Sequence, residues 1–160
     1  MSRLQKIVPC LWFADQGEEA VRFYRSLFPR SKLIHLQRWG ADGMGPEGSF
    51  HFATIELAGQ QLLVVNGNPK PSFTPAVSLA IRCRTQREID RLWRKLSAGG
   101  RVFGCGWLED RYRVTWQVLP VALEAMLRDP DPARVTRVMA ALLPMKKLDV
   151  AKLARAYRSR

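Results

Sequence analysis

Gly104–Pro120 reads GCGWLEDRYRVTWQVLP. Its second half alternates as a strand does, with Val114, Trp116 and Val118 on one face and Thr115, Gln117 and Leu119 on the other. The polar segment Leu108–Arg113 before it reads as a hairpin connection. Working backwards, Arg101–Phe103 is a short strand, and Gly99-Gly100 ends a helix. That helix starts at Thr85, whose partner three residues on is Glu88, a capping-box pattern, and it buries Ile89, Leu92, Trp93 and Leu96. Ala76–Cys83 is the strand before it. The order is therefore β-α-β-β-β.

The first half of the chain repeats that order. Ile7–Phe13 is an apolar run suited to a buried strand, with Pro9 favouring an edge or a bulge. Asp15 reads as the N-cap of a helix carrying Ala20, Phe23, Tyr24 and Leu27, which Pro29 stops. Lys32–Trp39 is strand-like. Gly40–Gly48 is a glycine-rich loop with no helix after it to receive a phosphate, and it reads as a mobile flap. Ser49–Leu57 and Gln60–Asn66 make a hairpin around Ala58-Gly59. Asn66–Pro75, with Pro69, Pro71 and Pro75, is a linker or crossover. The two halves are offset by about 70 residues, and the repeat lies in element order, since few residues are shared. Beyond Pro120 the pattern is helical: Val121–Leu127, a helix opened by Asp131-Pro132 and ended by Pro144, and a basic helix over Asp149–Tyr157.

The chain has 160 residues, 47% of them hydrophobic and 25% charged, values of an ordinary globular domain. No apolar run approaches the ~20 residues that span a bilayer. No signal peptide is evident, and Cys10, Cys83 and Cys105 form neither a disulfide framework nor a zinc knuckle, so a cytoplasmic location is expected. The net charge of +12 invites nucleic acid or acidic partners. The basic residues, including Arg134, Arg137, Lys146, Lys147, Lys152, Arg155, Arg158 and Arg160, are spread out, with no aromatics alternating among them. Specific nucleic-acid recognition is not expected, nor is a membrane anchor.

Several segments resemble the PhnB-like, or 3-demethylubiquinone-9 3-methyltransferase-like, branch of the glyoxalase (vicinal oxygen chelate) superfamily. They are Pro9–Phe13, Glu18-Glu19-Ala20 with Phe23-Tyr24, Leu27-Phe28-Pro29, Asn66-Gly67, Ser72-Phe73-Thr74, Cys105–Leu108 with Asp110, Trp116-Gln117 with Pro120, and Asp129-Pro130-Asp131. The likeness covers nearly the whole chain. Arg113 departs from it, standing where relatives have a turn glycine, and an arginine is penalised at positive φ. The resemblance implies an α+β fold of two βαβββ units (about 5–66 and 76–120) forming a cup, as one domain over 1–120, with a helical extension over 121–160. It also implies a homodimer.

In metal-dependent relatives the cup holds a divalent ion on inward His, Glu or Gln ligands, and the ion acts as a Lewis acid. Here the corresponding positions fall at Pro9, at Val77 or Ser78, at Val65 or Asn66, and at Gln117. Proline, valine and two amides do not make such a site, so neither a metal nor another cofactor is expected. His35 and His51 both lie in the first unit, without metal-ligand spacing. Methyl transfer has no support in the residues, because no glycine-rich strand-to-helix turn is present.

Cys105 has two readings: a thiolate activated by Arg111 or Arg113, or a small residue in a tight turn. Trp12 and Trp107 either line the cup or pack in the core. The expected function is binding of a small organic ligand, with Leu11, Trp12, Phe13, Asn66, Cys105, Trp107 and Gln117 as the lining. The alternatives are a metal-dependent glyoxalase- or dioxygenase-like enzyme, and a basic nucleic-acid- or partner-binding protein.

Overall fold

The computed structural model describes residues 4–68 and 71–159. Pro69 and Lys70 of the expected linker, and Arg160 of the basic tail, lie outside the described residues. The chain divides into two compact units, residues 1–72 and 73–160.

The first unit runs β1 (Cys10–Phe13), α1 (Gly17–Leu27), β2 (Lys32–Arg38), β3 (Phe50–Leu57) and β4 (Gln60–Asn66). Its sheet has the order β1-β4-β3-β2, with β1 parallel to β4 and the other pairs antiparallel. Strand β1 is shorter than the apolar run suggests and begins after Pro9, which has no N–H to give to a ladder; the Pro9 carbonyl still accepts from Leu63 N at 2.9 Å. Alternation along the strands buries Leu11, Phe13, Ala53, Ile55, Leu62 and Val64 together with Ala20, Val21, Tyr24 and Leu27 of α1. The β3–β4 turn places Ala58 at φ 50° and Gly59 at φ 86°, the two positive angles that a tight hairpin needs.

The second unit repeats the topology: β5 (Leu79–Cys83), α2 (Gln86–Ser97), β6 (Arg101–Gly104), β7 (Trp107–Glu109) and β8 (Thr115–Pro120), in the order β5-β8-β7-β6. Three helices follow, α3 (Val121–Leu127), α4 (Pro132–Leu142) and α5 (Val150–Arg158). The capping box forms as the spacing predicts. Thr85 Oγ1 accepts from Glu88 N at 3.2 Å, and Glu88 Oε2 accepts from Arg84 N at 2.8 Å. Of the expected α2 core residues, Ile89, Leu92 and Leu96 are fully buried and Trp93 is half-buried. Asp131 and Asp149 cap α4 and α5 through Ala133 N and Lys152 N.

The hairpin connection is shorter than Leu108–Arg113. Leu108 and Glu109 belong to β7, because Leu108 pairs with Trp116 and Glu109 with Thr115. The turn proper is built on Asp110. This carboxylate, 1% exposed, accepts from Tyr112 N (2.8 Å), Val114 N (3.1 Å) and Trp116 Nε1 (2.8 Å). Arg113 takes φ 73°, the left-handed conformation for which glycine would be unstrained. Its guanidinium reaches back to the buried Glu109 at 3.0 Å.

Burial pushes the Cys83 thiol on β5 up to about 12 from an ordinary 9.0, with Glu88 adding to the effect and Arg91 opposing it. Above pH 9 the unfolded chain loses this proton while the folded chain keeps it. Stability therefore falls as pH rises from 9 towards 12. Urea melts at about pH 8 and about pH 11 should show a steeper loss in the wild type than in Cys83→Ala. Equal losses would mean that the thiol does not contribute.

Candidate functional site

Parallel pairing of β1 with β4, followed by two antiparallel neighbours, brings the ends of β1, β4 and β2 and the start of β3 to one edge of the first sheet. A cavity of about 800 Å³ opens there, against the first turns of α1. Trp12, Trp39, Phe50, His51, Val65 and Asn66 contribute to its wall, and Asp15, Glu18, Glu19, Arg22 and Arg38 bring charge to it.

Asn66, the last residue of β4, is held by position rather than by sequence proximity. Its Oδ1 accepts from Gly17 N at 2.8 Å, and its Nδ2 donates to Asp15 O at 2.9 Å. The expected cap, Asp15, does not cap α1. Gln16 occupies the N-cap position without a side-chain bond, and the amide from β4 satisfies the helix instead. A Cβ on Gly17 would lie 2.4 Å from Asn66 Oδ1, so glycine is what lets the amide approach. Asn66→Ala should cost about 1–2 kcal/mol, as lost caps do, while Asn66→Asp, which keeps the acceptor, should retain most of it. Thermal melts of the two variants check this; equal losses would shift the weight to the Nδ2 donor.

Arg38 closes the other side. Its Nη2 meets Glu18 Oε1 at 2.8 Å, its Nη1 meets Oε2 at 3.2 Å, and Nη1 also donates to Gly48 O at 3.2 Å. One guanidinium thereby joins β2, α1 and the end of the glycine-rich loop. It holds the Glu18 carboxyl below the usual carboxylate range. Arg22 approaches the same carboxylate at 3.4 Å.

The loop itself is folded onto Trp39. Trp39 N donates to Ser49 O and Gly48 N to Trp39 O, and Gly43 and Gly45 lie so near the indole that a Cβ on either would come within 2.6 Å and 2.4 Å of it. On its other side the indole stacks with His51, centroids 3.7 Å apart and planes 19° apart. His51 Nδ1 is buried with no hydrogen-bond partner among the described residues.

Of the residues expected to line a ligand site, Trp12 and Asn66 lie together on this cavity, and Trp12 is 42% exposed. Leu11 and Phe13, their neighbours on β1, are buried in the core. Cys105, Trp107 and Gln117 belong to the second unit. Trp107 and Gln117 pair across β7 and β8, and Gln117 Nε2 donates to Ser78 Oγ at 2.8 Å. Cys105 occupies a turn with φ 51° between two glycines that also have positive φ. Its N donates to Met145 O and its thiol points to the carbonyls of Leu142 and Leu143, so the turn is fastened to the end of α4. Arg113, which could have activated it, is engaged with Glu109.

The residues expected at the ligand positions of metal-dependent relatives are turned to other uses. Pro9 has no donor, the Asn66 amide is spent on α1, and Gln117 and Ser78 bond each other. Among the described residues no group of three or more His, Cys, Asp or Glu side chains could hold a metal ion. These residues do not fit a divalent centre.

Trp39, His51, Arg38 and Glu18 were not among the expected site residues. The only local signal for them was a tryptophan beside a glycine-rich loop.

Two βαβββ units, each with its first strand parallel to its last, define the glyoxalase, or vicinal oxygen chelate, fold. A family model described as 3-demethylubiquinone-9 3-methyltransferase matches residues 5–119, and the chain belongs to that family. Among solved structures it is similar to a putative 3-demethylubiquinone-9 3-methyltransferase, PhnB protein, from Bacillus cereus, at 38% identity over 72% of this chain and 99% of that one (TM-score 0.68). A protein from Pseudomonas aeruginosa is 23% identical over 74% of this chain and 98% of that one (TM-score 0.59). The fosfomycin resistance protein FosX of Listeria monocytogenes is 16% identical over 81% and 99% (TM-score 0.57) and shares the fold. No curated protein matches. No helix among the described residues is long and apolar enough to cross a membrane.

Proposed function

We propose that this chain binds a small organic ligand at the edge of its first sheet, without a resident metal ion. One observation carries the reading. A half-exposed indole, Trp12, and a stacked pair, Trp39 on His51, line one cavity of about 800 Å³, in the range of small-molecule sites. Exposed aromatic surface is poorly solvated and gains from contact with a flat or apolar ligand. Asn66 and the Arg38–Glu18 clasp hold the wall in place, so little ordering remains to be done on binding. Neither strand-to-helix turn, Ala14–Gln16 or Arg84–Thr85, contains glycine, which gives the family's methyltransferase description no phosphate-binding turn of the dinucleotide type to rest on.

The test is a titration with a panel of small aromatic fragments, followed by ¹H–¹⁵N spectra. Shifts should cluster at the Trp12 and Trp39 indole N–H groups and the Asn66 amide. Shifts scattered over the chain, or confined to the second unit, would sink the assignment. Thermal melts with Zn²⁺, Mn²⁺, Ni²⁺ and Fe²⁺ should show no site-specific stabilisation. One ion per chain, stabilising by a few kcal/mol at saturation, would return the protein to the metal-dependent enzymes.

The reading includes pairing of two copies. Strand β2 lies at the edge of its sheet and exposes Leu33 and Ile34, a surface that soluble proteins tend to cover. Light scattering in solution checks it, and a monomer at all concentrations would reject it.

A further inference from the structure

Residues 73–160 hold 18 of the chain's 26 lysines and arginines but only 8 of its 14 acidic residues, so a surplus of ten of the +12 belongs to the second unit. Two of those carboxylates, Glu109 and Asp110, are buried. We infer that this unit binds duplex DNA through its phosphate backbone, on a surface formed by α2, α5 and the segment between α4 and α5.

Three contacts join these elements. Gln86 Nε2 donates to Leu148 O at 3.1 Å, Gln86 Oε1 accepts from Val150 N at 2.8 Å, and Lys147 Nζ meets Asp90 Oδ1 at 2.6 Å. Arg87 and Arg94, both exposed, share a face of α2 with Asp90, three residues before it and four after. Lys146, Lys147 and Lys152 line a cavity of about 510 Å³ with Pro144 and Asp149. Arg155 stands one turn beyond Lys152. Six exposed cations therefore surround two carboxylates, and both carboxylates are engaged: Asp90 by Lys147, and Asp149 by the Lys152 N–H that it caps. Arg87, Lys146, Lys152 and Arg155 make no ion pair among the described residues.

The extent of the surface selects the partner. Arg87 and Arg94 stand about 10 Å apart along α2 at the helical rise, and α5 adds a second row. A single phosphate meets only two or three of these cations. A chain of phosphates meets all six, and it releases its counterions in doing so. Neither α2 nor α5 shows a large exposed apolar side chain, of the kind that a lipid surface or a protein interface would bury. Single strands are held largely by stacking of bases on aromatic rings. The aromatic residues here offer no such platform: Trp93 is half-buried, and Tyr157 is half-buried with its hydroxyl bonded to Asp129. Contacts of charge alone bind duplexes of any sequence.

The experiment uses the full chain and fluorescence anisotropy of labelled DNA duplexes of about 20 base pairs, in two unrelated sequences. At about 150 mM salt both should bind with a dissociation constant of about 1–100 µM, the range of backbone-driven binding. The logarithm of the association constant should fall with the logarithm of salt at a slope of about −5, for six contacts at about 0.9 each. Lys146→Gln with Lys152→Gln and Arg155→Gln should weaken binding about tenfold and reduce the slope to about −3. Lys6→Gln with Arg30→Gln and Lys32→Gln, on the first unit, lowers the net charge equally and should weaken binding by less than about threefold. Circular dichroism establishes that both variants are folded. Equal losses from the two variants would show that net charge, and not this surface, attracts DNA, and would overturn the inference. So would no binding at this salt, tighter binding of the single strand, or a preference of more than about tenfold between the two sequences. Equal competition by polyglutamate or by phosphatidylserine vesicles, at matched charge, would overturn it as well.

Discussion

Replacing Asp110 by alanine should unfold the second unit or leave it close to unfolding. One carboxylate serves two backbone N–H groups and an indole N–H inside a turn where it is 1% exposed. Alanine removes the acceptor and strands all three donors away from water. At roughly 1–3 kcal/mol for each of three buried unsatisfied groups, the loss is about 3–9 kcal/mol, a large part of the 5–15 kcal/mol typical of a domain. Asp110→Asn should be milder. Its oxygen can still serve Tyr112 and Val114, but its amide nitrogen meets the Trp116 indole donor to donor. Urea denaturation followed by tryptophan fluorescence measures both. A loss under about 1 kcal/mol for the alanine variant would mean that water reaches the turn and replaces the carboxylate.

The second large effect is expected at Gly100. A Cβ there would lie 2.0 Å from the carbonyl oxygen of Glu109 and 3.0 Å from Asp110 Cα. These are backbone atoms of β7 and of the turn built on Asp110, and no rotamer change relieves the collision. Strands β6 and β7 would have to part where Arg101 pairs with Glu109. Gly100→Ala should therefore cost about 3 kcal/mol, at the upper end of overpacking penalties. Gly99→Ala separates the causes. Gly99 has φ 75° but its nearest neighbour, Arg111 Cβ, would be 3.5 Å away, so its cost is conformational only, about 1 kcal/mol. Equal melting temperatures for the two variants would show that β7 can yield and that the collision is not decisive.

The order of elements was legible because it rests on local rules. Alternation over Val114–Val118, helical spacing over Ile89–Leu96 and the Ala58-Gly59 turn each lie within a few residues, and each appears as expected. The caps at Thr85 and Asp131 were legible for the same reason. Asp15 does not cap the helix, because the Asn66 amide, 49 residues beyond Gly17, accepts the Gly17 N–H instead. The end of the hairpin was misjudged because Leu108 and Glu109 are drawn into β7 by their partners on β8, which no property of those two residues announces.

The candidate site divides along the same line. Trp12 and Asn66 could be nominated from family likeness, and both lie on the cavity. Leu11 and Phe13, adjacent on the same strand, are in the core, since a strand sends successive side chains to opposite faces. Trp39, His51, Arg38 and Glu18 meet only through the crossing of β2, β3 and α1.

What the sequence by itself determined is the doubled βαβββ order and its helical extension; periodicity, turn chemistry and residue type are written within short windows. Only the tertiary structure decided that Asn66 caps α1, that one guanidinium joins three segments, and that Cys105 is fastened to the end of α4. Each of these depends on distances between residues far apart in the chain, and those distances are set by strand register and helix docking.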